Sequence, residues 1–175
     1  MRILSGEEAR KAIEFIDDAA VAATYACCFR SKCGSVIVKD NAVIGTGYNS
    51  PPLDVKLEYC LKDALPADFK SDKTCCLHAE QRAIVDALQK HPDKIAGSRL
   101  YFIRLDEQGQ KKKSGDPYCT ICSKFSLDVG IAEFVLWKEE GICVYDTVEY
   151  NDLSFKFREK WFLDYFSSSN KYSGK

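Results

Sequence analysis

Apolar positions in the first thirty residues recur at the spacing of an α-helix. Ser5 has the place of an N-cap residue, and Glu8 that of the acid that completes a capping box. Small and aliphatic residues then follow every three or four positions, namely Ala9, Ala12, Ile13, Ile16, Ala20, Ala23 and Cys27. This spacing puts them on one face, so the pattern predicts a long first helix that ends between Cys28 and Ser31.

The pattern then changes to short β-rich runs separated by turn residues. Cys33–Val38 and Val43–Tyr48 flank the turn residues Lys39, Asp40 and Asn41, which predicts a β-hairpin. Gly45 and Gly47 in the second strand indicate a bulge or a close backbone approach. After this hairpin, residues 49–74 sustain no period, and a loop of this length is often functional.

The rest of the chain alternates between the two periods. The pattern predicts helices over His78–His91, Cys119–Val129 and about residues 152–167, and strands over Leu100–Leu105, Ile131–Trp137 and Ile142–Tyr145, the last of them on an edge. Strands that alternate with helices favour an α/β fold, in which helices cover a mixed sheet. No repeat or linker divides the chain, so we expect residues 1–175 to form one domain.

Composition narrows the setting of this domain. Apolar residues make up 46% of the chain, yet no apolar run approaches the roughly 20 residues that cross a bilayer. The N-terminus lacks the apolar core of a signal peptide, so we expect a soluble, cytoplasmic protein. The net charge of −1 gives no support for a polyanionic partner.

Two short motifs supply donors for a single metal ion. His78 and the pair Cys119 and Cys122 offer one imidazole and two thiolates, a ligand set that suits zinc. Pro117 stands just before the Cys pair, as a helix start prefers, and helix N-termini help to keep thiolates deprotonated. Three protein ligands leave the fourth position open for water, which is typical of a catalytic zinc site.

Glu80 follows His78 by two residues and is the candidate catalytic acid and base. On a regular helix the two side chains would lie about 200° apart, too far for Glu80 to be a second ligand on the same face. At an irregular helix entry, Glu80 can instead lie beside the metal-bound water, take its proton and pass it to the substrate. The two motifs therefore predict a zinc-dependent hydrolytic deaminase.

Three other interpretations of these residues stay open. Cys75 or Cys76 could complete a structural zinc site as its fourth ligand. Cys119 and Cys122 could be a thioredoxin-like redox pair, although the Thr and Ile between them and the α-β-β start of the chain argue against it. In a chain with nine Cys, a Cys pair at this spacing also arises by chance.

The motifs resemble the zinc signature of the cytidine and deoxycytidylate deaminase superfamily. Residues 43–49, with the sequence Val-Ile-Gly-Thr-Gly-Tyr-Asn, look like the glycine-bearing second strand of the deoxycytidylate deaminase branch. The resemblance covers about residues 6–138 and implies a three-layer cytidine-deaminase-like sandwich, with a five-stranded mixed sheet covered by helices. It also implies zinc on His78, Cys119 and Cys122, Glu80 as the proton shuttle, and Asn49 as a contact to the substrate, often to its sugar.

The chain departs from the family pattern near the expected substrate. Tyr118 intervenes between Pro117 and Cys119, where the pattern has Pro directly before Cys. This insertion either shifts the helix start or places a phenol at the substrate pocket. Ser50 follows Asn49, where the deoxycytidylate branch has Gly. We expect the substrate-binding residues to include Asn49, Ala79 and Tyr118.

Three further features have both a functional and a structural interpretation. The loop of residues 51–74 carries Cys60 and is followed directly by Cys75, but it has no His, so a second, structural zinc of the kind that some family members hold would depend on thiols. Lys111–Lys113 could hold a phosphate or a nucleic-acid backbone, although such runs are usually solvated. The C-terminal aromatic face, with Phe157, Trp161, Phe162, Tyr165 and Phe166, is more often core or subunit interface than a base-stacking surface.

The functional hypothesis is a deaminase of a cytosine nucleotide or nucleoside, deoxycytidylate-like, in which zinc-hydroxide attacks C4 and ammonia leaves. One alternative is a deaminase of a purine base or of a base within single-stranded RNA or DNA, against which the net charge weighs. Another is a non-catalytic zinc-binding protein with the same fold, against which Glu80 weighs. Because related proteins commonly assemble, we expect a homo-oligomer that binds a small-molecule substrate and no membrane.

Overall fold

The computed structural model of the protein describes residues 1–66 and 75–157. Its strands are β1 (Arg2–Ile3), β2 (Lys32–Lys39), β3 (Ala42–Tyr48), β4 (Arg99–Leu105), β5 (Lys111–Lys112), β6 (Glu133–Lys138) and β7 (Gly141–Asp146). Its helices are α1 (Gly6–Ala23), α2 (Ala79–Lys90), α3 (Thr120–Asp128) and α4, which is described over residues 147–157. This order confirms the mixed α/β fold. Within the described ranges, no helix has the length and apolar character needed to span a membrane.

The strands form one mixed sheet in the order β1-β7-β6-β4-β2-β3, with β5 also paired to β4. β4 and β6 run parallel, and the other pairs are antiparallel. The expected number of five strands is wrong, because the described sheet has seven. The two additional strands, β1 and β5, have two residues each, too few to show a period. β1 also covers β7, which the sequence places on an edge.

The first helix is shorter than its pattern predicts. α1 ends at Ala23, because the amides that follow bond to carbonyls three residues back instead of four, as in Thr24 N to Val21 O at 3.1 Å. Ser5 is the N-cap residue, but its side chain makes no capping hydrogen bond. Glu8 does not complete a capping box, and its carboxylate binds the guanidinium of Arg2.

Alternate residues of the central strands enter two different apolar clusters. Ile37 of β2 packs with Ala83 and Ile84 of α2. Its neighbours Val36 and Val38 belong to the cluster around α1, which includes Ala12, Phe15, Ile16 and Ala19. Successive side chains of a strand point to opposite faces, so α1 and α2 contact different faces of β2.

Two glycines of β3 allow α2 to lie directly against the strand backbone. A Cβ atom on Gly47 would lie 2.2 Å from the carbonyl oxygen of Ala79 and 2.3 Å from the amide nitrogen of Ala83. A Cβ atom on Gly45 would lie 2.5 Å from the carbonyl oxygen of Ala83. These distances confirm the predicted close approach. They also show that Gly47 sets the depth at which the first turn of α2 rests on the sheet.

Gly47→Ala is expected to lower the free energy of unfolding by about 1–3 kcal/mol, because the added methyl group meets backbone atoms that cannot rotate away. Urea unfolding followed by circular dichroism measures this change. Gly115→Ala is the matched control, since a Cβ atom there meets nothing within 4 Å. Equal stabilities of the two variants would contradict the close approach of α2 to β3.

The last described helix begins earlier than its pattern predicts. α4 starts at residue 147 instead of about 152, since Asp146 accepts the Val148 amide at 2.8 Å and so caps the helix. The predicted helix extends to about residue 167. Its residues from 158 onwards, including Trp161, Phe162, Tyr165 and Phe166, lie outside the described residues. The proposed aromatic face therefore stays a prediction.

Candidate active site

His78 directly precedes α2 and is its N-cap residue. Its backbone is extended, with φ −75° and ψ 152°, and its amide donates to Oε1 of Gln81 at 3.0 Å. The residue before it is held as in a strand, because the Leu77 amide donates to the Ser50 carbonyl at 2.9 Å. Because His78 is not helical, its side chain and that of Glu80 are not separated by the angle of about 200° that a regular helix would impose. Both side chains line the same cavity.

Cys119 and Cys122 lie at the start of α3. Cys119 is the N-cap residue, and its sulfur accepts the Cys122 amide at 3.5 Å. Because α3 begins at Thr120, directly after Cys119, the inserted Tyr118 leaves the Cys pair at the helix start. The predicted boundaries of α2 and α3 are therefore confirmed to within one residue at each end.

The three donor atoms of His78, Cys119 and Cys122 converge. Nδ1 of His78 lies 3.2 Å from the Cys122 sulfur and 3.4 Å from the Cys119 sulfur, and the two sulfurs are 3.4 Å apart. A tetrahedral zinc with bonds of about 2.0 and 2.3 Å separates such donors by roughly 3.6–3.8 Å. Small outward movements would therefore fit the ion, and the donor set of one imidazole and two thiols is one that zinc prefers.

The ionisation of the two thiols also suits a cation. Hydrogen bonds from the Cys122 thiol and from His78 lower the pKa of Cys119 to about 4, so Cys119 is a thiolate at neutral pH. The pKa of Cys122 is raised, because its proton is shared with Cys119 and its sulfur is buried. The hydrogen bond to Cys119 likewise raises the pKa of His78. A bound zinc ion would remove the proton from Cys122, as it does from coordinating thiols in general.

Glu80 is a buried carboxylate beside this triad. Only 7% of its surface is exposed, and it hydrogen-bonds with the Cys122 thiol. Burial raises the pKa of Glu80, and the nearby imidazole of His78 partly offsets this effect. A carboxyl group so placed can both accept and donate a proton next to a metal-bound water.

The triad and Glu80 line a cavity of about 570 Å³, a volume typical of small-molecule sites. The expected substrate residues Asn49, Ala79 and Tyr118 line it as well. Asn49 is buried, with Oδ1 accepting the Cys33 amide at 2.7 Å and Nδ2 donating to the Ser31 carbonyl at 2.9 Å. Tyr118 is 67% exposed.

Residues near the cavity have roles that the sequence pattern did not assign. Ser50 is fully buried, and its hydroxyl hydrogen-bonds with Asp54 in the loop after β3. Tyr150 of α4 lines the cavity and stacks on Phe134, with ring centres 4.0 Å apart. Asp146 followed three residues later by Glu149 is a signature of a helix start. This signature could have predicted that Tyr150 lies on a helix.

A group of thiols lines another part of the cavity. The Cys75 sulfur lies 3.8 Å from that of Cys60 and 3.9 Å from that of Cys76. Cys76 also hydrogen-bonds with Cys28. In residues 1–66 and 75–157, however, the only group of three donors whose atoms all lie within 4.8 Å is His78, Cys119 and Cys122. A second, structural zinc at the other thiols stays a prediction.

The chain matches a known family over most of its length. The model of the cytidine and deoxycytidylate deaminase zinc-binding region matches residues 9–138. The deoxycytidylate deaminase of Mycobacterium phage D29 is 35% identical over 133 residues, which cover 71% of this chain and 92% of the relative. The deoxycytidylate deaminase of Saccharomyces cerevisiae is 37% identical over 126 residues, which cover 69% of this chain and 35% of the relative.

Two solved structures have a similar fold. The dCMP deaminase from cyanophage S-TIM5, in complex with dCMP and dUMP, gives a TM-score of 0.50 at 23% identity and covers 75% of this chain and 82% of its own. The cytidine deaminase from Burkholderia pseudomallei gives a TM-score of 0.52 at 18% identity, with 79% and 94% covered. The family model and the phage relative show that the chain belongs to the cytidine and deoxycytidylate deaminase family, and with the convergent donors of His78, Cys119 and Cys122 they identify it as a zinc-dependent hydrolytic deaminase.

Proposed function

We propose that the protein deaminates a cytosine nucleotide and that deoxycytidylate is its preferred substrate. The observation that carries this proposal is the convergence of His78, Cys119 and Cys122 beside the buried Glu80 in one cavity. The relatives that match most of this chain are named deoxycytidylate deaminases, which favours a nucleotide over a nucleoside.

The chemistry follows from the groups that meet in the cavity. A zinc ion held by His78, Cys119 and Cys122 would lower the pKa of a water molecule to near 7 and so supply a nucleophile at neutral pH. Glu80 takes a proton from the attacking water and delivers it to the ring nitrogen of cytosine. Glu80 then takes the remaining proton of the new hydroxyl group at C4 and passes it to the exocyclic amine, which leaves as ammonia while the oxygen stays behind as the carbonyl of the product.

The remaining cavity residues would orient the nucleotide. Asn49 uses one N–H and one oxygen lone pair within the protein, so a second N–H stays available for the sugar. Ala79 is fully buried between the ligand His78 and Glu80, so its backbone borders the position of the reacting base. Tyr118 packs edge-on against Phe157, with ring centres 5.1 Å apart, and would cover the base from the solvent side.

Ammonia release from a set of substrates tests the proposal. Deoxycytidylate, deoxycytidine, cytidine, deoxyadenylate, guanine and a short cytosine-containing oligodeoxynucleotide are each incubated with the zinc-loaded protein. We expect the highest kcat/KM for deoxycytidylate, with activity lost on chelation and restored by zinc. The absence of ammonia from every cytosine compound would refute the proposal. If only a purine compound released ammonia, that purine would be the substrate base instead of cytosine.

The proposal also includes the assembly and architecture implied by the family. The two apolar clusters, one around α1 and one around α2, support a three-layer sandwich with helices on both faces of the sheet. One deaminase domain over residues 1–175, a homo-oligomer and a cytoplasmic location stay predictions. Light scattering coupled to size-exclusion chromatography measures the oligomer.

A further inference from the structure

Basic side chains are concentrated on the cavity that contains His78 and Glu80. Among the residues that the structure describes, five basic side chains line it against two carboxylates, namely Arg30, Lys62, Arg104, Lys112 and Lys113 against Glu80 and Asp116. The whole chain has 25 Lys and Arg against 26 Asp and Glu, so the positive excess is local. A cavity with such an excess attracts an anionic ligand.

Arg104 and Lys112 are two neighbouring cations of this set that are available for a ligand, and Lys62 in the loop after β3 likewise forms no ion pair with a described carboxylate. Arg30 forms an ion pair with Asp63, and the ammonium of Lys113 donates to a backbone carbonyl at 3.1 Å. Arg104 and Lys112 are exposed, and neither forms an ion pair with any carboxylate in residues 1–66 or 75–157. The guanidinium of Arg104 also hydrogen-bonds with the uncharged thiol of Cys33.

The positions of Arg104 and Lys112 continue the substrate-binding surface. The two residues lie directly opposite each other in the antiparallel pair of β4 and β5. On the other side of β4, Arg104 lies opposite Cys33, whose amide donates to the side chain of Asn49 at 2.7 Å. Two strand spacings, about 10 Å in all, therefore lead from Cys33 to Lys112. Cys33, Arg104 and Lys112 therefore lie side by side on three neighbouring strands. This line of residues extends from Asn49, the expected sugar contact, towards the solvent.

Two like charges directly opposite each other weaken a β-sheet pair. The neighbouring Lys111 is not subject to this effect, because it lies opposite Leu105, and its ammonium binds Asp17 of α1 on the other face of the sheet. Arg104 and Lys112 have no such compensation within the described part of the chain. An anion bound between them would turn their repulsion into joint attraction.

We propose that Arg104 and Lys112 bind the phosphate of a nucleoside monophosphate whose base is held beside Glu80. This inference rests on the proposed function and assigns its phosphate contacts. A phosphate monoester carries a charge of about −1.5 to −2 at pH 7, which two cations neutralise. The guanidinium can bind two phosphate oxygens at once, and the ammonium can bind a third.

The test compares deoxycytidylate with deoxycytidine, which differs from it only by the phosphate. Affinities are measured by calorimetry, and kcat/KM by ammonia release, for the full-length zinc-loaded protein and its variants. In Arg104→Gln and Lys112→Gln, we expect the nucleotide-to-nucleoside ratio of affinity, and that of kcat/KM, to fall about 10- to 100-fold, as charge-assisted hydrogen bonds are lost. Lys112→Arg, which keeps the charge, should retain most of the preference, whereas Arg104→Lys should retain only part of it, because an ammonium cannot replace the contact of the guanidinium to two oxygens.

Lys111→Gln is the matched control, because it removes the same charge from the same short strand on the other face and should keep the wild-type ratio. A wild-type protein that binds deoxycytidine as tightly as deoxycytidylate would overturn the phosphate assignment. That result would also count against deoxycytidylate as the preferred substrate. An unchanged ratio in Arg104→Gln and Lys112→Gln would overturn only the phosphate assignment and would leave the proposed function standing. An oligodeoxynucleotide that binds more tightly than deoxycytidylate, and loses affinity in the same variants, would replace the monophosphate by a polynucleotide.

Discussion

Replacing Glu80 by Gln is expected to lower kcat by about 10²- to 10⁴-fold or more, because the amide cannot take a proton from the attacking water. The amide has nearly the same shape, so the buried position should accept it without a cavity. Zinc content by elemental analysis and the melting temperature should stay close to those of the wild type. Ammonia release under saturating deoxycytidylate measures kcat.

The control for Glu80→Gln is Glu139→Gln, which makes the same chemical change in the exposed turn between β6 and β7. Glu139→Gln should keep wild-type turnover. If Glu80→Gln also turned over at the wild-type rate, Glu80 could not be the proton shuttle. If Glu80→Gln instead lost zinc, its main role would be to support the metal ligands.

The second large effect is expected for Cys122→Ser, which should remove one zinc per chain and abolish deamination. Cys122 is fully buried and lies within 3.4 Å of both other donor atoms. Changes to residues that only support metal ligands weaken binding by about 10- to 100-fold, so the loss of a ligand should weaken it by at least about 100-fold. Competition with a chromogenic chelator measures the affinity.

Cys27→Ser is the control for this variant, because Cys27 is exposed and does not line the cavity. It should keep both zinc and activity. The measured quantity is the difference in zinc content between the two variants, which should be one ion per chain. This difference is the same whether or not the thiols of Cys60, Cys75 and Cys76 bind a further ion. Unchanged zinc in Cys122→Ser would contradict the assignment of this ligand.

The metal-binding end of the site is the part that the sequence predicts best, for a physical reason. Metal ligation requires particular atoms, so His78 and the Cys pair can be recognised from residue type and spacing, whereas the role of Glu80 as proton shuttle stays a prediction. The boundaries of α2 and α3 agree with the structure because the ligands also act as N-cap residues. The close approach at Gly47 could be predicted because only glycine leaves room for another backbone there.

The substrate end was harder to predict, because it depends on pairing between distant segments. Lys112 belongs to a strand of two residues, which is too short to show an alternation of apolar and polar positions. The structure is needed to show that Lys112 pairs with Arg104 and that both side chains line the cavity. In the sequence Lys111–Lys113 is a single run of charge. In the structure the side chains of Lys111 and Lys112 lie on opposite faces of the sheet. Tyr150 was missed because α4 begins earlier than its apolar spacing indicates.

The hydrogen bonds of Asn49 have a consequence for the thermodynamics of binding. Both ends of its amide are already engaged, with the Cys33 amide and the Ser31 carbonyl, so a reversed amide would set donor against donor and acceptor against acceptor. Folding alone therefore fixes the orientation of this side chain before any ligand arrives. Little rotamer entropy remains to be lost at this position on association, so calorimetry should show a correspondingly small entropic penalty from Asn49.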